Sequence, residues 1–165
     1  MSAVIRSAAP EDLPALAALK TRYLTCRYQG FARADILRKA CPDRYLPELT
    51  SYLASPLCHL DILEGDREAE GYIVYRREGD EADGWILETR SHCGEGCAED
   101  TSRLIQHAAL RLRQDGCTVV RTWLLKSNYR LRFLYENLGF RFDGERRIDD
   151  RDGQGFEMMR YTFYL

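Results

Sequence analysis

The sequence predicts an α/β (α+β) fold: a mixed, mostly antiparallel central sheet of about seven strands flanked by helices, with one parallel strand–helix–strand crossover. Three observations carry this. Three successive strand-like runs are separated by short polar, Gly-containing segments. A long amphipathic helix then stands between two strand-like runs, and two further such runs close the chain. Antiparallel neighbours accept hairpin turns, whereas a strand, a helix and another strand require a parallel crossover.

Residues 4–7 read as a short strand. Pro10 opens the first helix, with Glu11 and Asp12 in its first turn, where negative charge suits the helix dipole. Leu13, Leu16, Ala17 and Leu24 supply its apolar stripe. A second helical region starts near Arg33 with Ile36, Leu37, Ala40 and Cys41. Pro42 is expected to interrupt it, and Tyr45, Leu46, Leu49, Tyr52 and Leu53 resume it at helical spacing. Strands are predicted at 57–63, 71–76 and 85–91, joined by turns at 64–67 and 78–81.

A helix follows over about 100–115, with Leu104, Ile105, Ala108, Ala109 and Leu112 on one face. Arg111 and Arg113 favour its C-terminal end, and Gly116 stops it. Residues 118–125 read as the parallel partner strand. Ser127 or Asn128 caps the next helix, lined by Leu131, Leu134, Tyr135 and Leu138 and ended by Gly139. Strands at 140–148 and 156–164 finish the chain, with the turn placed at 149–155. The chain shows no repeat, low-complexity tract or dividing linker, so residues 1–165 read as a single domain.

Composition narrows the function classes. Hydrophobic residues make up 45% and charged residues 30%, as in an ordinary globular domain. The formal net charge of -2 does not suggest nucleic-acid binding. No apolar run approaches the roughly 20 residues of a membrane span, and the start lacks a basic-then-apolar leader, so no membrane role is expected. The expected address is the cytoplasm, with the six cysteines as thiols.

The order of elements resembles the GNAT superfamily of acyl-CoA N-acyltransferases from end to end. The segment 5–16 resembles that family's first strand and helix, and Gly71-Tyr72-Ile73-Val74 its third strand. The best match runs from Asn128 to Phe140: Asn128, a third residue on, Tyr135, then Gly139-Phe140. Leu131 replaces the small residue usual at its position. The family's basic and glycine positions before the long helix fall on Gly96, Glu99 and Thr101, so that signature is missing.

The resemblance implies an N-acetyltransferase that moves an acetyl group from acetyl-CoA to a primary amine, on a small molecule or a peptide. It implies Tyr135 as proton donor to the CoA sulfur and Asn128 beside the pantetheine arm. The cofactor loop then supplies Gly94, Gly96, Cys97, Ala98 and Thr101. Glycines ahead of a helix N-terminus suit a pyrophosphate, but Glu95, Glu99 and Asp100 in the same loop would repel it. Simple capping by Glu99 and Asp100 is the competing reading. Glu88 and His92 are the candidates for general base; Glu88 alternates with Ile86 and Arg90, which also fits a solvated face or an ion pair.

A metal reading of His92, Cys93 and Cys97 lacks a second ligand pair at finger spacing, and no metal is expected. His59 and His107 read as isolated structural residues, Trp123 as core and Arg121 as the partner of an acid. The acceptor wall is expected from 28–52 and 149–155, the latter contributing Asp149, Asp150, Arg151 and Asp152, an acidic rim that would suit a cationic amine. A non-catalytic module with this fold and a degenerate CoA loop is the alternative function. Oligomeric state is open, a homodimer included.

Overall fold

A computed structural model describes residues 3–66, 68–78 and 81–165. Parts of the two turns predicted at 64–67 and 78–81 lie outside the described residues, as do Met1 and Ser2.

Strands β1 (Val4–Ser7), β2 (Cys58–Glu64), β3 (Ala69–Arg77) and β4 (Asp83–Ser91) are successive antiparallel neighbours. Strand β5 (Val119–Leu125) lies parallel to β4. Strands β6 (Arg141–Arg151) and β7 (Gln154–Tyr164) form the closing hairpin, with β7 against β5. The sheet order is β1-β2-β3-β4-β5-β7-β6, and β4–β5 is the one parallel strand pair among the described residues.

Helices α1 (Leu13–Arg27), α2 (Ala34–Arg38) and α3 (Pro42–Ala54) precede the meander. Helices α4 (Cys97–Gln114) and α5 (Tyr129–Asn137) flank β5 in sequence. On one sheet face, Leu13, Leu16 and Leu49 of α1 and α3 pack on Ile62, Tyr72 and Val74. On the other, Leu104, Ala108 and Leu112 of α4 and Tyr135 of α5 pack on Ile73, Tyr75 and Ile86. Burial on both faces explains why β3 reads as a nearly continuous apolar run rather than an alternating one.

Several boundaries have local causes. A single 3-10 turn, Pro10–Asp12, precedes α1. Its Asp12 carboxylate accepts from the Ala9 N–H at 2.7 Å and pairs with Arg6 at 2.9 Å, tying the helix start to β1. Pro42 does not interrupt a helix; it occupies the first position of α3, where a missing N–H costs nothing. The α4 helix starts at Cys97 rather than near Asp100, because Gly96 takes φ +81° and turns the chain directly into it. The last hairpin turns at Asp152 and Gly153, with φ of 51° and 83°, so β6 and β7 extend through most of the predicted loop.

One irregularity positions the site. Val74 pairs with Glu88 but Tyr75 pairs with Ile86, so Leu87 is an extra residue in β4. Such a bulge re-aims the side chains beyond it. Ile86 and Thr89 therefore face α4 and α5, while Glu88 and Arg90 face α1. The ladder with β5 also ends here, at Ile86 opposite Thr122.

Candidate active site

Beyond Ile86 and Thr122 the two parallel strands separate, and the sequence fills the gap with polar and aromatic side chains. Tyr135 reaches it from α5, fully buried, with its hydroxyl 3.1 Å from Thr89 Oγ1. Burial pushes the phenol up to about 12, against the pull of Thr89 and Thr122. Asn128 caps α5: its Oδ1 accepts from the Leu131 N–H at 3.2 Å. Tyr135 and Asn128 both line a cavity of about 300 Å³ in the gap, together with Thr89, Trp123 and Glu88.

Two further cavities share walls with this one. Toward α4, Asn128 and Leu131 also line a cavity of about 310 Å³ formed with Cys97, Ala98 and Thr101. Its polar walls include Arg27 and Arg130. Arg27 donates to Cys97 Sγ at 3.0 Å. Glu95, Glu99 and Asp100 do not line it. Of the predicted loop residues, Cys97, Ala98 and Thr101 meet at this cavity, whereas Gly94 and Gly96 are exposed beside it. Thr101 is itself tied down, donating to Cys97 O at 2.7 Å and lying 2.8 Å from Ser91 Oγ.

On the other side, Glu88, Arg90, Tyr28 and Leu87 also line a cavity of about 590 Å³ between α1, α2, α3 and the β6–β7 hairpin. Glu88 is not on a solvated face. Its side chain is 3% exposed, with Lys20 Nζ at 2.5 Å and Arg90 Nε at 3.4 Å from Oε1. Tyr72 donates its hydroxyl to the same oxygen at 3.0 Å. Burial works to raise this carboxyl, but Arg90, Lys20 and Tyr72 outweigh it and hold it below the usual carboxylate range. Oε2 of Glu88 is buried without a hydrogen-bond partner. The ion pair with Arg90 is one of the readings the spacing left open; the burial and the pairing with Lys20 were not legible, because the bulge at Leu87 reverses the strand's alternation.

His92 lies apart from the three cavities. Its Nδ1 accepts from the Gly94 N–H at 3.1 Å and its Nε2 faces Asp100 Oδ2 at 2.8 Å. Donation from Gly94 places the ring hydrogen on Nε2, so His92 donates to Asp100. Glu70, His92 and Asp100 bring one ligand-type atom each within 4.8 Å of one another, but both ring nitrogens of His92 are already engaged.

Other expectations sort plainly. Trp123 borders the cavity in the gap rather than only packing in the core, and Arg147 stacks over its ring at 4.4 Å. Arg121 pairs with Asp83. His107 Nε2 lies 2.8 Å from the buried Asp61, which also accepts from Tyr75 at 2.6 Å. His59 stacks on Tyr75. Segments 28–52 and 149–155 do wall the large cavity, but Arg44, Arg147 and Arg151 stand there beside Asp152. Of these, sequence reasoning named Arg151 in the loop but passed over Arg44 and Arg147, and over Lys20; for Arg147 the density of arginine in 146–151 was the one signal. The six cysteines are free thiols, and no helix of the described residues is long and apolar enough to cross a membrane.

No family model and no curated protein sequence matches the chain. Solved structures do. A GCN5-related N-acetyltransferase from Rhodopseudomonas palustris superposes with a TM-score of 0.77 at 15% identity, covering 100% of this chain and 97% of that one. The PaiA N-acetyltransferase from Thermoplasma acidophilum, in complex with coenzyme A, gives 0.75 at 18% identity, with both chains covered in full. A putative acetyltransferase from Salmonella typhimurium with its cofactor acetyl-CoA gives 0.72 at 16% identity, over 100% and 95% of the two chains. The element order, the single parallel pair and these superpositions agree: the chain has the fold of the GCN5-related (GNAT) N-acetyltransferases.

Proposed function

We propose that residues 1–165 act as one N-acetyltransferase domain that moves an acetyl group from acetyl-CoA to a primary amine. The observation that carries this reading is the run of three cavities with shared walls. They lead from the N-terminus of α4, past Tyr135, to Glu88 and the cavity under α1 to α3.

The α4 end suits the cofactor's pyrophosphate. A helix N-terminus attracts anions, and Arg27 and Arg130 add positive charge at the same cavity. Asp100 does not cap α4 through a hydrogen bond: Gly96 is the N-cap, and the Asp100 carboxylate is turned to His92. The acids that argued for a decayed loop stay outside the cavity, which favours the enzyme over the non-catalytic module. Gly94 and Gly96 would let the chain approach the cofactor, with Cys97, Ala98, Thr101 and Asn128 forming the cavity wall.

Bound acetyl-CoA supplies an activated thioester carbonyl. Tyr135, a phenol kept protonated by burial, donates its proton to the departing thiolate. Asn128 holds the start of α5 and faces both neighbouring cavities. Glu88 receives the amine: its free Oε2 accepts an N–H and takes up the proton released on attack. Its depressed pKa makes it a weak base, so its larger contribution is to orient the amine. His92, 2.8 Å from Asp100, braces the loop ahead of α4. The cytoplasm is the compartment we assign, since free thiols and acetyl-CoA coexist there.

The test is calorimetric titration with acetyl-CoA. Binding at micromolar to sub-millimolar concentration is the expected result; no binding at millimolar concentration overturns the enzyme reading.

A further inference from the structure

The large cavity has a charge pattern that a simple amine does not satisfy. At its floor Lys20 and Arg90 share the single buried carboxylate of Glu88; their side chains are 7%, 13% and 3% exposed. The nearest additional acid, Glu48, is half exposed and 3.4 Å from Lys20. Arg90 Nε is buried without a hydrogen-bond partner. Higher on the wall, Arg44 is paired with Asp152. Arg151 has no carboxylate partner among the described residues. With Glu48 counted, the floor matches its two cations with two carboxylates, one of them screened by solvent; the unmatched charge is Arg151, exposed on the wall, where an anion can meet it.

The same floor offers one acceptor: Glu88 Oε2, buried and unpartnered. It is suited to an ammonium or amine N–H. The two unmet needs sit side by side, since Glu88 Oε1 lies 3.4 Å from Arg90 Nε. Leu24, Ile36, Leu37 and Phe156 give the rest of the cavity an apolar wall.

From this we infer that the acceptor is a small amine bearing an anionic group close to the nitrogen, on an apolar body: an apolar α-amino acid or the matching α-aminophosphonate. Glu88 takes the amine, Arg90 and Arg151 take the carboxylate or phosphonate, and the apolar wall takes the side chain. The inference rests on the acetyltransferase reading above and names its substrate class. The acidic rim expected from Asp149, Asp150 and Asp152 would have suited a cationic amine without an anionic group. Two of its three acids are neutralised, because Arg147 pairs with Asp149 at 2.8 Å and Arg44 pairs with Asp152.

The experiment compares three sets of acceptors: α-amino acids with apolar side chains, the corresponding decarboxylated amines, and the corresponding α-aminophosphonates. Thiol release from acetyl-CoA is read for each, and each acceptor and acetyl-CoA are titrated separately by calorimetry. The anionic amines should be bound or turned over on the order of 10-fold or more better than the decarboxylated ones. The carboxylate and phosphonate arms tell the two anions apart. R151Q should raise KM for the anionic acceptors with little change in kcat, and leave the decarboxylated amines unaffected. Equal or better use of the decarboxylated amines overturns the inference. So does acetyl-CoA binding with no anionic amine bound or acetylated. If the anionic amines bind but acetyl-CoA does not, the acetyltransferase reading fails and the anion site stands.

Discussion

The hydroxyls of Tyr135 and Thr89 meet at 3.1 Å across the gap where β4 and β5 stop pairing. One comes from a helix and the other from a strand that a bulge has turned to face it. Tyr135→Phe keeps the ring against Phe140, 4.9 Å between centroids, and removes only the hydroxyl. We expect turnover to fall on the order of 100-fold and stability by about 1 kcal/mol. Steady-state rates and a thermal melt of the same variant separate the two effects. Unchanged turnover with a lowered Tm would make Tyr135 a packing residue.

The cofactor end makes a different prediction. Arg27 and Arg130 face the cavity at the N-terminus of α4, and Glu99 does not. Arg27→Gln should weaken acetyl-CoA binding about 10-fold, with a shallower salt dependence. Glu99→Gly should change it far less. A variant series titrated at two ionic strengths checks this; a larger effect from Glu99 would mean its carboxylate reaches the pyrophosphate after all.

Acid should destabilise the fold through carboxyls held below their ordinary range. Glu88 is one: burial opposes its ionisation, but Arg90 and Lys20 prevail. Asp143 is another, where Thr162, the Glu145 N–H and Arg160 outweigh burial. A carboxyl with a depressed folded pKa binds fewer protons folded than unfolded, so stability rises with pH through its titration. That contribution is present above the ordinary value, 4.5 for Glu88 and 3.8 for Asp143, and is lost as pH falls through the lower folded value. Melts between pH 7 and pH 3 should show a falling Tm below about 4.5, with a smaller fall in Glu88→Gln.

The thiols should react unequally. Burial, reinforced by a hydrogen bond with Cys26, raises Cys93 to about 11. Cys26 and Cys41 are exposed. At pH 8, alkylation followed by peptide mass spectrometry should label Cys41 before Cys93. Under oxidation, Cys93 should pair with Cys26 at least as readily as with its loop neighbour Cys97. Early labelling of Cys93 would contradict this.

Asp61 ties the middle of α4 to the sheet by accepting from Tyr75 and meeting His107. Asp61→Ala leaves the buried Tyr75 hydroxyl without its acceptor and removes the partner of the part-buried His107, and should cost about 2 kcal/mol. Chemical denaturation measures it; a change under 0.5 kcal/mol would mean water replaces the carboxylate.

The sequence alone determined the element order, the single crossover and the Asn128–Tyr135 motif. Each rests on local physics: apolar periodicity, glycine and proline punctuation, and a capping side chain. The segments it offered as acceptor wall, 28–52 and 149–155, do line the large cavity. Only the tertiary structure decided what faces what. A single extra residue, Leu87, moves Glu88 from the alternation its neighbours suggest to a buried ion pair with Lys20, a residue 68 positions away. The same reversal brings Thr89 to Tyr135. Charge balance followed the same rule: Asp149, Asp150 and Asp152 read as an acidic rim along the chain, while ion pairs with Arg147 and Arg44 leave a cationic pocket in space. Periodicity reports which side chains share a face within one element; which charges remain unpaired depends on partners that the fold brings from elsewhere.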